Sequence, residues 1–203
     1  MSVSNSPKDE RGLPDNDFPL ERPEPSVAAN PLKAEISVFS NNRERTPSEA
    51  TSILRFALDT KHGKYHVLID RIRQFRSLGD EEAADNLKNS LPAVSLSGLV
   101  TRGPRASAFK EGRFRHSGFL QGDFDEKDFN PRSAGDVKEA LASDPHVQAV
   151  FFSPKGGVKT IIRIPICTTQ DEHKRAFFAA EEYFRKLHDL SLDSSTKDPV
   201  RLC

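Results

Sequence analysis

The sequence predicts an α+β domain in which a mixed sheet is flanked by helices, and two observations predict it. From Ala34 onward, short apolar or alternating runs are interleaved with runs whose apolar residues recur at helical spacing. One stretch, residues 116–152, reads as strand, helix, strand, the unit from which a sheet with a covering helix is built. The chain has 203 residues, room for one domain with a sizeable core but not for an added motor or nuclease domain, so any larger activity calls for partners. With hydrophobic residues at 35% and charged residues at 30%, part of the chain is expected not to fold.

Residues 1–33 are rich in Pro, Asp, Glu, Ser and Asn and offer no periodic apolar face, so a disordered tail is expected there and the folded domain over 34–203. Alternation in Ala34-Glu35-Ile36-Ser37-Val38-Phe39 predicts a first strand. A polar turn ending at Thr46-Pro47-Ser48-Glu49 leads into a helix carrying Ile53, Leu54 and Leu58. A second helix holds Val67, Leu68, Ile72 and Phe75 on one face and Arg71, Arg73 and Arg76 on the other. The run Glu81 to Lys88 reads as a third helix, stopped before Leu91-Pro92 because proline disfavours the helical conformation of its predecessor. Ala93 to Gly98 reads as a strand, and Arg102 to Arg115 as a mobile basic loop. An apolar strand then runs from His116 to Asp125, a helix over about Ala134 to Ala142, and a strand over Val147 to Phe152. A glycine turn at Ser153 to Gly157, a strand to Ile164 and a long helix from about Thr169 to His188 complete the order.

Composition narrows the function. Formal net charge is zero, so a grip on nucleic acid has to come from a local basic face. Cys167 and Cys203 lie far apart, with no CxxC and no Cys/His cluster in the sequence, so neither a disulfide nor a zinc site is expected, and a reducing cytoplasm fits. No apolar leader and no membrane-length apolar run is present, so a soluble protein without membrane contact is expected.

Three segments carry candidate chemistry. Asp123 and Asp125 flank Phe124 at i and i+2, which on a strand puts both carboxylates on one face and Phe124 into the core. Paired carboxylates are hard oxygen ligands suited to Mg²⁺ or Mn²⁺, and two such ions activate a hydroxyl and neutralise a triphosphate in phosphoryl transfer. Read alone, Asp-x-Asp is equally an acidic surface loop. The hairpin Ser153-Pro154-Lys155-Gly156-Gly157-Val158-Lys159 combines glycines that allow close backbone approach with lysines that supply point charges, a seat for phosphates or an ordinary turn. It lacks the spacing and the following helix of a Walker A loop, which excludes that ATPase reading. At the C-terminal end, Asp193 or Asp198 offers a further carboxylate for the metal, and Arg201 a partner for phosphate or for that carboxylate. No Gly-x-Ser-x-Gly elbow and no thiol signature supports a hydrolase.

Taken in register from Ile36 to Cys203, these pieces resemble the VirE-type N-terminal domain, a branch of the archaeo-eukaryotic primase superfamily found in mobile-element and phage primase-helicase proteins. Leu91-Pro92-Ala93-Val94-Ser95-Leu96-Ser97-Gly98 is similar to its LPAVxxSG segment. Ser117 to Asp125 resembles its first catalytic motif, Phe151 to Lys159 its second, and Asp193 to Cys203 the start of its third. Lys155 stands where a serine is usual, and Gly122 where relatives have a core-forming strand. The resemblance implies a primase-polymerase-like (RRM-like) fold and metal-dependent nucleotidyl transfer on a nucleic acid template from nucleoside triphosphates. It also implies a helicase domain or protein as partner, and a domain truncated at Cys203, where the family continues into another strand. In that reading Asp123 and Asp125 hold two Mg²⁺ or Mn²⁺ ions with Asp193 or Asp198 as third ligand. Ser153, Lys159 and the Gly156-Gly157 turn meet the triphosphate, with Lys155 and Arg201 assisting. Arg102, Arg105, Arg113 and Arg115 track template phosphates, on the strength of their charge. The competing reading is a non-catalytic nucleic-acid-binding or partner-docking module on the same fold.

Overall fold

The computed structural model describes residues 30–203, so the predicted tail falls outside the described residues except for its last few. Of these, Pro31–Lys33 form a 3₁₀ turn, begun by the Asn30 side chain, and Leu32 packs on the core. Strands and helices then follow in the order β1 (Glu35–Phe39), β2 (Glu49–Ser52), α1 (Ile53–Lys61), α2 (His66–Ser77), α3 (Glu81–Asn89), β3 (Ala93–Ser95), β4 (Gly98–Val100) and β5 (Phe114–His116). The second half contains β6 (Phe119–Phe124), α4 (Ala134–Ala142), β7 (Val147–Phe152), β8 (Val158–Arg163) and α5 (Gln170–His188).

Local chemistry sets the helix starts. Ser52 and Asp80 cap α1 and α3 by accepting from the Arg55 and Ala83 N–H groups. Reciprocal capping boxes, Ser133 with Asp136 and Thr169 with Glu172, open α4 and α5. Helix α5 ends at Asp189, whose left-handed backbone (φ 52°) turns the chain back.

The strands form three antiparallel sheets, ordered β2-β1-β3, β4-β5 and β6-β8-β7, where the sequence predicts one mixed sheet. The predicted strand 93–98 is broken at Leu96-Ser97, so its two halves serve different sheets. The predicted strand 116–125 also divides, with His116 ending β5 and β6 beginning at Phe119. Buried serines hold this junction: Ser117 Oγ donates to the Leu96 carbonyl (2.8 Å), and Ser37 Oγ accepts from the Val100 N–H (2.7 Å).

In the β6-β8-β7 sheet, β8 lies between β6 and β7 and is antiparallel to both. The connection β6-α4-β7 is therefore a split strand-helix-strand unit, followed by β8 and α5. Strand alternation sends Leu120, Phe124, Val158 and Ile162 into a core with Val137 and Leu141 of α4 and Ala176, Phe177, Ala180 and Phe184 of α5. Phe119 and Ile161 point the other way, into a second core with Ile36, Ile53, Val94 and Leu96. Asp123 and Lys159 share that second face, beyond the end of its apolar packing. At Gly122 an added Cβ would collide with the Thr160 hydroxyl and lie 2.9 Å from Ile162 Cδ1 and 3.2 Å from Leu192 Cδ2, so tight packing accounts for the missing side chain.

The segment after α5 crosses between the sheets. Its Asp193 N–H donates to the Asp123 carbonyl on β6 (2.9 Å), and Cys203 exchanges both backbone hydrogen bonds with Val94 of β3 (2.8 and 3.1 Å). Ser95 Oγ and the Arg105 guanidinium donate to the Pro199 and Val200 carbonyls along the way (3.2 and 2.8 Å).

Candidate functional site

A cleft of about 520 Å³ opens where the α2–α3 hairpin faces the end of the β6-β8-β7 sheet. It is within the range of small-ligand pockets. Its walls are Asp123 on β6, Asp125, Glu126 and Lys127 just beyond it, Ser153, Lys155 and Gly157 of the β7–β8 turn, Lys159 on β8, and Arg76 and Lys88 from the helices. The i, i+2 reading holds: both aspartates line the cleft while Phe124 is fully buried behind them.

Asp123 and Lys159 are cross-strand neighbours and form an ion pair, with side chains only 21% and 11% exposed. Burial opposes the charge on Lys159, but the adjoining Cys203 and Asp123 side chains outweigh it and hold the ammonium above its ordinary pKa. Asp125 is more open and meets Lys127 at 3.2 Å. At the turn, Ser153 N–H donates to the Gly157 carbonyl (2.7 Å), Gly156 has φ 101°, and a Cβ on Gly157 would stand 2.9 Å from the Phe124 carbonyl oxygen. Glycine is thus required where the hairpin passes over the end of β6.

Lys155 is drawn elsewhere than expected. Its ammonium contacts Glu81 at 2.8 Å and Asp85 at 3.0 Å on α3, which raise its pKa, while the Arg76 guanidinium donates to its carbonyl. Arg76 also meets Glu81 at 3.3 Å and Glu126 at 3.9 Å. Together these contacts strap the hairpin to the helices.

The two candidate third carboxylates differ in position. Asp193 is hydrogen-bonded through its backbone to the Asp123 carbonyl, and its carboxylate accepts from the Ser195 N–H (2.9 Å) and Oγ (2.7 Å). Burial alone would raise its pKa, but those bonds and the charges of Arg201 and Lys159 bring it below the ordinary value. Asp198 instead accepts from the Val200 N–H (3.2 Å) and acts electrostatically on Arg105. Arg201 is exposed, outside the cleft wall, and its charge helps keep the Asp193 carboxylate below its ordinary pKa.

The basic loop is not a free arm, since it contains a 3₁₀ turn at Arg105–Ser107 and its last two residues, Phe114 and Arg115, belong to β5, paired with β4. Arg113 is bonded to Glu111, to Ser107 Oγ (2.9 Å) and to the Arg102 carbonyl, Arg115 pairs with Glu35, and Arg105 is half-buried with its guanidinium 5.9 Å from the centre of the Phe39 ring. Arg102 is exposed, and its side chain makes no ion pair or hydrogen bond among the described residues.

Two features escape the sequence. The cleft includes Arg76, Lys88, Glu126 and Lys127, which no motif marks. The fold also assembles a Cys/His cluster that the spacing gave no reason to expect: His116, Cys167 and His173, all buried, are the one trio of potential ligands among the described residues whose ligand atoms lie within 4.8 Å of one another. His116 Nδ1 accepts from the Gly118 N–H (3.0 Å), which fixes the proton on Nε2, and Nε2 donates to His173 Nδ1 (3.0 Å). A ligating histidine has its other nitrogen facing an acceptor, whereas here it faces a donor. Nitrogen and sulfur donors also do not suit Mg²⁺. Burial lowers His116 to about 4 and His173 to about 3 and raises Cys167 to about 11, the state of a neutral hydrogen-bonded core cluster. Both cysteines are free thiols. No described helix is long and apolar enough to cross a membrane.

An α+β domain with a charged cleft between a helical hairpin and a sheet end is the class that this geometry defines. The chain belongs to the BT4734-like, N-terminal domain family, which matches residues 86–203, more than half its length and every lining residue of the cleft except Arg76. This family is distinct from the VirE-type family, so the VirE-type likeness rests on the motifs alone. No curated protein and no solved structure matches the chain.

Proposed function

We propose that the cleft is a metal-dependent nucleotidyl-transfer site of primase-polymerase type. The observation that carries this reading is the convergence of Asp123 and Asp125 with Ser153, Gly157 and Lys159, from two separate motifs, in one cleft on the sheet face turned away from α4 and α5. The β6-β8-β7 order with its α4 crossover supports the RRM-like assignment, because it follows the first three strands of a βαββαβ unit. In this reading Asp123 and Asp125 hold Mg²⁺ or Mn²⁺, and Asp193 is the third carboxylate, since its backbone is bonded to that of Asp123 while the Asp198 carboxylate accepts from the Val200 N–H. The ions would supply charge neutralisation at the triphosphate and an activated hydroxyl. Ser153 and Lys159 orient the phosphates.

A second reading, a non-catalytic nucleic-acid-binding or partner-docking module, is favoured by the ion pair that already occupies Asp123 and by the hydrogen bonds from Ser195 that engage both carboxylate oxygens of Asp193. Nucleoside triphosphate binding measured by calorimetry with and without Mn²⁺ separates the two. The catalytic reading predicts binding strengthened by Mn²⁺ and lost in Asp123→Ala/Asp125→Ala. Metal-independent binding, or none by a folded chain, favours the docking module.

A further inference from the structure

Five cations and three carboxylates line the cleft. Four of the cations have carboxylate partners: Arg76 with Glu81 and Glu126, Lys127 with Asp125, Lys155 with Glu81 and Asp85, and Lys159 with Asp123. Lys88, half-buried near the end of α3, makes no ion pair and no side-chain hydrogen bond among the described residues. A partly desolvated ammonium without a partner carries a cost, and proteins commonly retain one where a ligand supplies the missing charge.

From the place of Lys88 in the wall and its lack of a partner, we infer that it is the phosphate-receiving cation of this cleft and takes the triphosphate of an incoming nucleotide. The inference rests on the nucleotide-site reading for the identity of the nucleotide, but the anion site follows from Lys88 itself. Its surroundings agree: burial, and then repulsion from Lys159 and Lys155, lower its pKa, and Asp123 and Asp85 offset this only in part. An anion lodged among these three lysines relieves the repulsion. It must carry high charge density, because Lys155 and Lys159 already have carboxylates to be outcompeted, and a polyphosphate meets that demand where a single carboxylate does not. Ser153 and Gly157 line the same cavity.

The test is calorimetric titration of the whole chain with inorganic tripolyphosphate in metal-free buffer, for wild type, Lys88→Met, Lys88→Arg and Lys174→Met. Lys174, a partly exposed lysine on α5 beside Asp171, lies outside the cleft and serves as the control. Lys88→Met is expected to weaken binding about tenfold to a hundredfold, the worth of one charge-assisted hydrogen bond. Lys88→Arg is expected to keep most of the affinity, and Lys174→Met all of it. Thermal unfolding separates loss of contact from loss of fold, because removing an unpartnered half-buried cation should leave the midpoint unchanged or higher.

Equal tripolyphosphate affinity in wild type and Lys88→Met overturns the inference, as does a wild type that binds none. So does a Lys88→Met variant that loses affinity for a short single-stranded oligonucleotide and keeps it for tripolyphosphate, since Lys88 would then serve template phosphates. Lys88-dependent tripolyphosphate binding by a chain that makes no polynucleotide supports this inference and overturns the polymerase reading. Polymerisation with Lys88-independent binding does the reverse.

Discussion

The pairing of Asp123 with Lys159 bears on what the cleft can accept. Two largely shielded charges satisfy each other, so removing either one strands its partner. Lys159→Met is expected to cost about 1–3 kcal/mol of stability, and Asp123→Asn/Lys159→Met distinctly less than the sum of the single losses. Urea unfolding of the four-member cycle measures this, and simple additivity would show that the pair is not coupled. A second residue-scale prediction concerns His116 and His173, whose folded pKa values, about 4 and about 3, lie below the ordinary 6.5. Between pH 6.5 and about 4 the unfolded chain takes up protons that the folded chain refuses. Stability is therefore full above pH 6.5 and falls as pH drops through that window, by an amount on the order of a few kcal/mol. A His116→Phe/His173→Leu variant that remains folded should show a shallower acid slope in urea melts over the same range.

Among elements, the close contact of β6 with β8 and the segment after α5 leaves no room at Gly122. Gly122→Ala is expected to cost about 2 kcal/mol by overpacking, lowering the thermal midpoint by roughly 4–8 °C. An unchanged midpoint would mean that Leu192 and Thr160 yield freely. The same strand shows what the sequence reveals and what it hides. Helix α4, strand β7 and helix α5 are legible nearly to the residue, because capping residues and apolar periodicity agree there. Strand β2 is not, since Glu49-Ala50-Thr51-Ser52 is short and polar and exists by pairing with β1. The break at Leu96-Ser97 is equally hidden, because Ala93 to Val100 is apolar enough to read straight through, and only tertiary bonds from Ser117 and the Val100 N–H reveal two sheets. Arg113 reads as a free basic residue, yet its bonds close its own loop.

At the level of the whole molecule, the cleft exists because elements distant in sequence meet. Arg76 and Lys155 touch across 79 positions, and no local pattern marks Arg76 or Lys88 as neighbours of the Asp-x-Asp strand. The sequence displays the motifs one by one but not their convergence, nor the strap of Glu81, Asp85 and Arg76 that seats the hairpin. The crossing segment from Asp193 to Cys203 joins β6 to β3, so the site is braced by both sheets and by the two cores. The central claim is that this cleft transfers nucleotides with a divalent metal, and primer extension and de novo synthesis with labelled nucleotides and Mn²⁺ test it most directly. The account predicts Mn²⁺-dependent product from the wild type and none from folded Asp123→Ala/Asp125→Ala. Product that survives in the double variant, or no product from a folded wild type under any template and nucleotide combination, would contradict it.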